Sequence, residues 1–482
     1  MIQSVLVNPP MTAAENYGDL ADMSPEFPLL GLAFMTTYAK QAGHHVALLD
    51  LANATIDQAV AQLAKYDLVG MSAYITNVRS LSILVQRLKQ AYPHQTLVIG
   101  GPHATLFPHD FEEWPVDYVV SGEGEQIWVS LLEALNQGIP PKPMPGLGMR
   151  QAMGKLVIAG KADVVNNLDE IGPPDISQYD MARYYSPMHI RGKKVIHTLT
   201  TRGCPFKCTF CAATEVMGRT MRFRSVPDVI EELKRYRDQG YDSLMFYDDI
   251  FTIRKRHVFE LCEAMAQNHL KFKWTCFTRT NAVNDRDMLA AMRQTGCYLI
   301  TFGCETAHDK TLALMKKGLT QEDNVRGIEN VHQAGIKSLS SFMIGLPNET
   351  AEDIQRTIDF ATRSKLTFAV FPIFEPFKGT AIYETCKETG RWVNIKGEKN
   401  SLLVDDETIW VPNTISRAEI QRLAASAFKQ FYFKPDRLMK VAHHALWTLP
   451  PARAWKFMHG GLSYFLRKSK DVSAGLLQGS RY

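Results

Sequence analysis

Three cysteines fall close together in the run Thr201-Arg202-Gly203-Cys204-Pro205-Phe206-Lys207-Cys208-Thr209-Phe210-Cys211, and no cysteine precedes them in the chain. The chain opens Met1-Ile2-Gln3-Ser4 straight into a strand-like run with no export signal, so such a cluster reads as metal ligation rather than a disulfide framework. Three thiolates can hold three irons of a [4Fe-4S] cluster and leave the fourth iron open for an outside ligand. The competing reading is a zinc knuckle. Structural zinc usually takes four protein ligands, however, and no fourth Cys or nearby His completes this set. The remaining cysteines, Cys262, Cys276, Cys297, Cys304 and Cys386, show no ligand spacing and read as small buried residues.

A ligand loop needs rigid elements on either side of it. From about 194 to 375 the chain alternates apolar strands, predicted at 195–200, 243–247, 273–278, 298–302, 338–344 and 368–374, with helical patterns at 226–238, 257–268, 285–294, 321–334 and 351–363. Six such units in succession favour an open or closed barrel with its active site at the C-terminal strand ends, and the cysteine loop leaves the first strand at that end. Residues 1–138 alternate as well, with strands expected at 5–8, 46–50, 68–72, 97–100 and 118–121. Helices are expected there at 29–42, 56–65, 78–91, 107–114 and 126–135. Strands that are apolar on both faces argue for a parallel sheet covered on each side, a flavodoxin-like or Rossmann-like α/β domain. Ligands of such sheets sit beyond the C-terminal strand ends. There the chain places Asn8-Pro9-Pro10, Ser72-Ala73-Tyr74, Gly100-Gly101-Pro102-His103 and Ser121-Gly122-Glu123-Gly124-Glu125. Residues 139–190 read as a Pro/Gly-rich linker with at most a small hairpin and no core. The expected organisation is thus α/β throughout: 1–138 flavodoxin-like, 139–190 linker, 191–395 a partial (β/α)6 TIM barrel, and 396–482 mainly helical.

The spacing Cys-x3-Cys-x2-Cys, with Phe210 before the last cysteine, resembles the radical S-adenosylmethionine (SAM) superfamily. Further matches fall at the predicted strand ends. Phe246-Tyr247-Asp248-Asp249 closes the second strand, Arg279 follows the third, and Gly303-Cys304-Glu305 ends the fourth. Ile344-Gly345-Leu346-Pro347-Asn348-Glu349-Thr350 ends the fifth and Pro376-Phe377-Lys378-Gly379-Thr380 follows the sixth. The resemblance therefore spans roughly 194–385. It implies a [4Fe-4S] cluster on Cys204, Cys208 and Cys211 whose open iron chelates SAM, which is then cleaved to a 5′-deoxyadenosyl radical. It also implies SAM contacts at Phe210, Asp249, Arg279, Gly303 and Glu305. Arg279 suits the ligand's carboxylate and Glu305 its ribose or amine. Asp248 and Asp249 read equally well as N-cap or loop acids.

A flavodoxin-like module ahead of such a barrel resembles the cobalamin-binding members of the superfamily. That implies cobalamin contacts at Pro10, Ser72, Gly100, Gly101, His103, Gly122, Glu123 and Gly124, where glycines let backbone approach a flat macrocycle. Cobalamin proteins that supply an axial histidine carry Asp-x-His-x-x-Gly after the first strand. Here that loop reads Asn8-Pro9-Pro10-Met11-Thr12-Ala13, so this loop offers cobalt no histidine, and His103 is read above all as fixing its own loop. The tRNA methylthiotransferases carry a second cluster on N-terminal cysteines, which this chain lacks. The implied activity is methyl transfer to an unactivated carbon, with one SAM methylating cob(I)alamin and a second yielding the radical that activates the substrate. The implied electron donor is a flavodoxin or ferredoxin. The runner-up is a cobalamin-dependent radical cyclase or rearrangement enzyme, as in tetrapyrrole ring formation. From another class, the alternative is a non-catalytic metal or cobalamin sensor.

Composition adds where the protein sits. The chain has 482 residues, 45% hydrophobic and 22% charged, which is ordinary for a soluble globular protein of several domains. Its net charge of +4 is a C-terminal property, because 437–470 holds seven basic residues and no acid, leaving 47 basic against 50 acidic elsewhere. Leu438, Met439, Ala442, Ala445 and Leu446 recur there at helical spacing, followed by Trp455, Phe457, Met458, Leu462, Tyr464, Phe465 and Leu466. This mixture suits peripheral contact with an anionic membrane, or else a helical cover with a solvated basic face. A cytoplasmic, membrane-associated enzyme acting on a lipid or other small molecule is expected, with no nucleic-acid partner.

Overall fold

The structure is a computed structural model, and it describes residues 2–11, 26–151, 154–185, 189, 191–394, 408–448 and 454–455. The N-terminal sheet has five parallel strands, β1 (Ser4–Asn8), β2 (Val46–Asp50), β3 (Leu68–Ser72), β4 (Thr96–Gly100) and β5 (Tyr118–Val120), in the order β2-β1-β3-β4-β5. Alternation along each strand divides the core. Val5, Val7, Val69, Met71, Leu97 and Ile99 pack against the helices Ile56–Leu63 and Val78–Ala91. Leu6, Leu48, Val98 and Val120 pack against Leu30–Gln41 and Glu125–Asn136. The order reverses between β1 and β3, which opens a crevice at their C-terminal ends.

Two expectations need correction here. A helix was expected over 107–114, but the turns formed are an α-helix at Pro102–Leu106 and a 3-10 helix at Pro108–Phe111. Pro108 forces Phe107 out of helical geometry, to φ −134° and ψ 59°. The 139–190 segment is more than a linker. The small hairpin expected there forms, as antiparallel β6 (Leu147–Arg150) and β7 (Leu156–Ile158) on the edge of the sheet, but the segment also contributes to the core by burying Val165, Leu168, Ile171, Tyr179 and Tyr184. Its prolines and glycines punctuate short elements that the surrounding domain holds in place.

The second sheet contains β8 (Val195–Thr198), β11 (Ser243–Phe246), β12 (Lys273–Thr278), β13 (Cys297–Glu305), β14 (Lys337–Phe342) and β15 (Phe368–Val370), all parallel and in sequential order, with β8 and β15 at its edges. Between β8 and β11, the short antiparallel pair β9 (Thr201–Arg202) and β10 (Arg222–Phe223) brackets the cysteine loop. Sequential parallel order makes this a partial barrel, covered by helices whose starts are capped by Ser225, Asp285, Thr320 and Thr350. β15 is shorter than the expected 368–374, since Pro372 has no N–H to donate.

After the barrel, a hairpin of β16 (Gly390–Asn394) and β17 (Thr408–Pro412) precedes the helices Arg417–Tyr432 and Pro435–Thr448, so the region is not helical alone. The alternation Ile409-Trp410-Val411 is the strand signal there. Ile420, Leu423 and Ala427 pack on Ile354 and Ile358 of the helix Ala351–Arg363. Arg437 does not join a solvated basic face; it is buried and donates from Nη2 to the Ser364 carbonyl at 2.6 Å. Leu438, Met439 and Trp455 are exposed, whereas Phe457, Met458, Leu462, Tyr464, Phe465 and Leu466 lie outside the described residues. Among the described residues, no helix is long and apolar enough to cross a membrane.

Candidate active site at the domain interface

The cysteine loop is anchored at both ends. Asp248, just past β11, is buried and accepts from Thr200 N at 3.0 Å, Thr200 Oγ1 at 2.7 Å and Thr201 Oγ1 at 2.7 Å. Of its two expected roles, the loop-fixing one is the geometry present. Past the first cysteine, Cys204 N donates to Gly218 O, and Thr209 N donates to Met315 O at 2.9 Å. Cys204, Cys208 and Cys211 are partly exposed and in no disulfide, while the other five cysteines are buried.

These thiols fit the cluster. Burial pushes the Cys204 and Cys211 thiols up, with neighbouring Asp249 and Cys208 adding to the effect. Metal binding would therefore displace protons from them. Donors already face two of the sulfurs: Ala213 N lies 3.4 Å from Cys211 Sγ and Arg279 Nη1 lies 3.7 Å from Cys208 Sγ. Hydrogen bonds to cluster sulfurs are a known way of tuning such a centre.

The implied SAM contacts gather around the same loop. Arg279 is buried, lies 3.8 Å above the Phe206 ring, and donates from Nη2 to the Lys317 carbonyl. Glu305 ends β13 at φ +65°, past a register shift, and pairs with Lys317 Nζ at 2.7 Å. Gly303 makes room for that pair, because a Cβ there would stand 2.2 Å from Glu305 Oε1 and 2.9 Å from Lys317 Nζ. Phe210 packs beside Met315, Ile382 and Trp410, which brings the C-terminal hairpin up to the cysteine loop. Asp249 is exposed as a residue, while burial of its carboxyl and adjacent Asp248 push that carboxyl up to about 6.

The N-terminal loops meet the barrel through the loop after β5. Pro10 is held by Ser80 Oγ at 2.6 Å from its carbonyl, and Ser72 and Ala73 cross from β3 toward the loop after β4. Gly101, at φ +91°, lies so close to them that a Cβ would meet Ser72 Oγ at 2.6 Å. His103 is buried between Phe107 and Phe111, and its Nε2 contacts Asp110 Oδ2 at 3.1 Å, the loop-fixing arrangement. Gly122 and Gly124 abut Ala162 and Met35. Glu123 is committed to the barrel: Arg222 Nη2 lies at 2.8 Å and Arg202 Nη1 at 3.3 Å, and Val165 N donates to it at 2.7 Å. Glu125 takes Arg202 Nη2 at 2.8 Å. Burial alone would raise the Glu123 carboxyl, but the Arg222 hydrogen bond and the Arg202 charge hold it below its ordinary value. Charge signs at β5 and β9 foreshadow this network, but nothing local in the sequence pairs them.

A cavity of about 450 Å³ opens beside the cysteine loop, lined by Lys207, Cys208, Cys211 and Thr380, with Leu106 and Lys161 reaching it from the N-terminal side; the implied cobalamin contacts do not line it. A larger hollow of about 570 Å³ lies between the helices Gln321–Gln333 and Ala351–Arg363 outside the barrel, lined by none of the site residues.

Comparison with known proteins agrees with this division. Residues 198–361 match the radical SAM superfamily, and residues 19–132 match the B12 binding domain. The chain is 30% identical over 426 residues to an uncharacterized methyltransferase of Pyrococcus horikoshii, covering 86% of this chain and 91% of that one. It is 28% identical over 429 residues to the anaerobic magnesium-protoporphyrin IX monomethyl ester cyclase of Rubrivivax gelatinosus, covering 86% and 75% of the two chains. Among solved structures, the radical SAM methyltransferase TsrM of Kitasatospora setae, with cobalamin and a [4Fe-4S] cluster bound, aligns with a TM-score of 0.70. That match covers 98% of this chain and 100% of the other at 17% identity, and it shows a shared fold.

Proposed function

This chain belongs to the radical SAM superfamily, in the form that carries an N-terminal B12-binding domain, and from that premise we propose that it transfers methyl to an unactivated carbon of a small molecule. The observation that carries the reading is the buried joint: Glu123 and Glu125, on the loop after β5, pair with Arg202 and Arg222 of the two strands that bracket the cysteine loop, so the strand ends that suit a corrinoid are tied to the loop whose thiols suit a cluster. When bound, the cluster, SAM and cobalamin supply the electron, the radical and the methyl group.

The protein's own residues supply position. Cys204, Cys208 and Cys211 would hold three irons, and Arg279 and Glu305 would orient the carboxylate and amine of SAM. Asp248 keeps the loop base still through Thr200 and Thr201. Glu123 and Glu125, joined to Arg202 and Arg222, set the spacing between the two cofactor walls. Fixed spacing is what a reaction among three held partners needs. A small redox protein such as a flavodoxin or ferredoxin would deliver the electron, and the cytoplasm is the compartment we assign.

Product analysis tests the reading. Anaerobic turnover with lipid, tetrapyrrole and peptide acceptors should yield S-adenosylhomocysteine and 5′-deoxyadenosine together. Formation of 5′-deoxyadenosine without the homocysteine product would favour cyclisation or rearrangement, the second reading, which the similarity to the Rubrivivax cyclase supports. A chain loaded with both metal cofactors that forms neither product from SAM would sink the enzyme reading and leave a sensor.

A further inference from the structure

The turn Leu314-Met315-Lys316-Lys317-Gly318 lies between the helices Asp309–Leu314 and Gln321–Gln333, and no motif marked it in the sequence. It nevertheless touches each residue group on the barrel side of the site. The Leu314 carbonyl accepts from Thr209 Oγ1 at 3.3 Å and the Met315 carbonyl accepts from Thr209 N at 2.9 Å, which ties down the cysteine loop. The Lys317 carbonyl accepts from Arg279 Nη2. Its ammonium meets Glu305 Oε1 at 2.7 Å and stands 5.4 Å from the centre of the Phe210 ring. Lys316 at φ +46° and Gly318 at φ +64° bend the backbone sharply enough for one residue to present its carbonyl and its ammonium to different partners.

We propose that Lys317 is a positioning residue of the SAM site, acting through Glu305; the proposal rests on the functional reading above. Two features support it. Lys317 and Glu305 are each only 7% exposed, so neither charge is solvated enough to stand alone. Removing one member of a buried pair leaves the other uncompensated. The pair also fills the space that Gly303 leaves open, so the Glu305 carboxylate is held at one place rather than swinging across the cleft. With Arg279 held by the same residue's backbone, the carboxylate-binding and amine-binding ends of the site share one anchor. Lys317 thus decides where Glu305 waits for its ligand, and it supplies positive charge beside a ligand that arrives with a carboxylate.

The test uses the full chain, anaerobically reconstituted, with SAM binding read by isothermal titration and by the change SAM makes in the electron paramagnetic resonance spectrum of the reduced cluster. Lys317→Met should weaken SAM binding by about 10- to 100-fold, as loss of an outer-shell partner does at metal sites. It should leave iron and sulfide content at the wild-type level. Lys317→Arg should recover part of the affinity. Because the effect passes through Glu305, Lys317→Met combined with Glu305→Gln should bind no more weakly than Glu305→Gln alone. Wild-type affinity in Lys317→Met, strict additivity with Glu305→Gln, or loss of iron from Lys317→Met would each overturn the proposal. A wild-type protein that holds a cluster but binds no SAM would instead overturn the functional reading on which it rests.

Discussion

The two walls that the Glu123–Arg222 joint ties together are made of different materials. The barrel wall is made of side chains: three thiols, the Arg279 guanidinium, and the Glu305–Lys317 pair. The N-terminal wall is largely backbone, with Gly101 against Ser72 and Ala73, Gly122 against Ala162 and Gly124 against Met35, and its one strongly charged loop pairs with Arg202 and Arg222. A ligand that is bonded needs specific atoms, whereas a large flat ligand needs room and peptide edges. The joint between the walls is ionic and buried, and Arg202 stands two residues before the first cysteine.

If the walls are separable in material, they should be separable by mutation. The largest effect is expected for Cys208→Ser, which removes one iron ligand. Iron and sulfide should fall from about four per chain to near none, while cobalamin still binds. Parallel loss of cobalamin would break the comparison. Next is the joint. Glu123→Ala leaves Arg222 buried without its carboxylate and should cost about 3 to 5 kcal/mol in urea unfolding, with little dependence on salt.

Glu123 and Glu349 should also respond oppositely to pH. Glu349, buried after β14, accepts from Leu346 N at 3.0 Å and Thr306 Oγ1 at 3.1 Å. Burial pushes its carboxyl from an ordinary 4.5 up to about 7, so between those values the folded chain holds a proton that the unfolded chain has released. Its contribution is therefore whole below pH 4.5 and lost as pH rises through about 7, roughly 3 kcal/mol in all. The lowered Glu123 works in the other direction, stabilising above the ordinary carboxylate range and failing as pH falls through its folded value. Stability curves of Glu349→Gln should lose the decline toward neutral pH, and an unchanged decline would assign it elsewhere. The smallest effect is expected for Gly101→Ala. The strained φ and the 2.6 Å approach to Ser72 Oγ should cost about 1 to 2 kcal/mol and lower cobalamin loading, with iron unaffected.

The difference in material also explains what could be read from the sequence. Cys204, Cys208 and Cys211 announce themselves by spacing, and strands such as β3 and β12 by apolar runs of the right length. Arg279 and Glu305 follow because strand ends locate them. Lys317 was not legible, since a lysine in Lys316-Lys317-Gly318 looks like any solvated charge until β13 runs beneath it. Glu123 reads as a cobalamin contact from its place after β5, while its pairing with Arg222 spans 99 residues of chain that no local pattern bridges. The 139–190 segment and the β16–β17 hairpin share that cause: short edge strands gain most of their order from the surface they pack on, and Trp410 seats against Ile382 and Phe374 rather than against its own neighbours in sequence.

The central claim is that one chain holds a cluster and a corrinoid on either side of one buried ionic joint. Anaerobic purification followed by iron, sulfide, zinc and cobalt analysis, with the electronic spectrum of the same sample, tests it most directly. The account predicts about four irons and about one cobalamin per chain. Zinc without iron, or a full cluster in a chain that takes up no cobalamin, would contradict it.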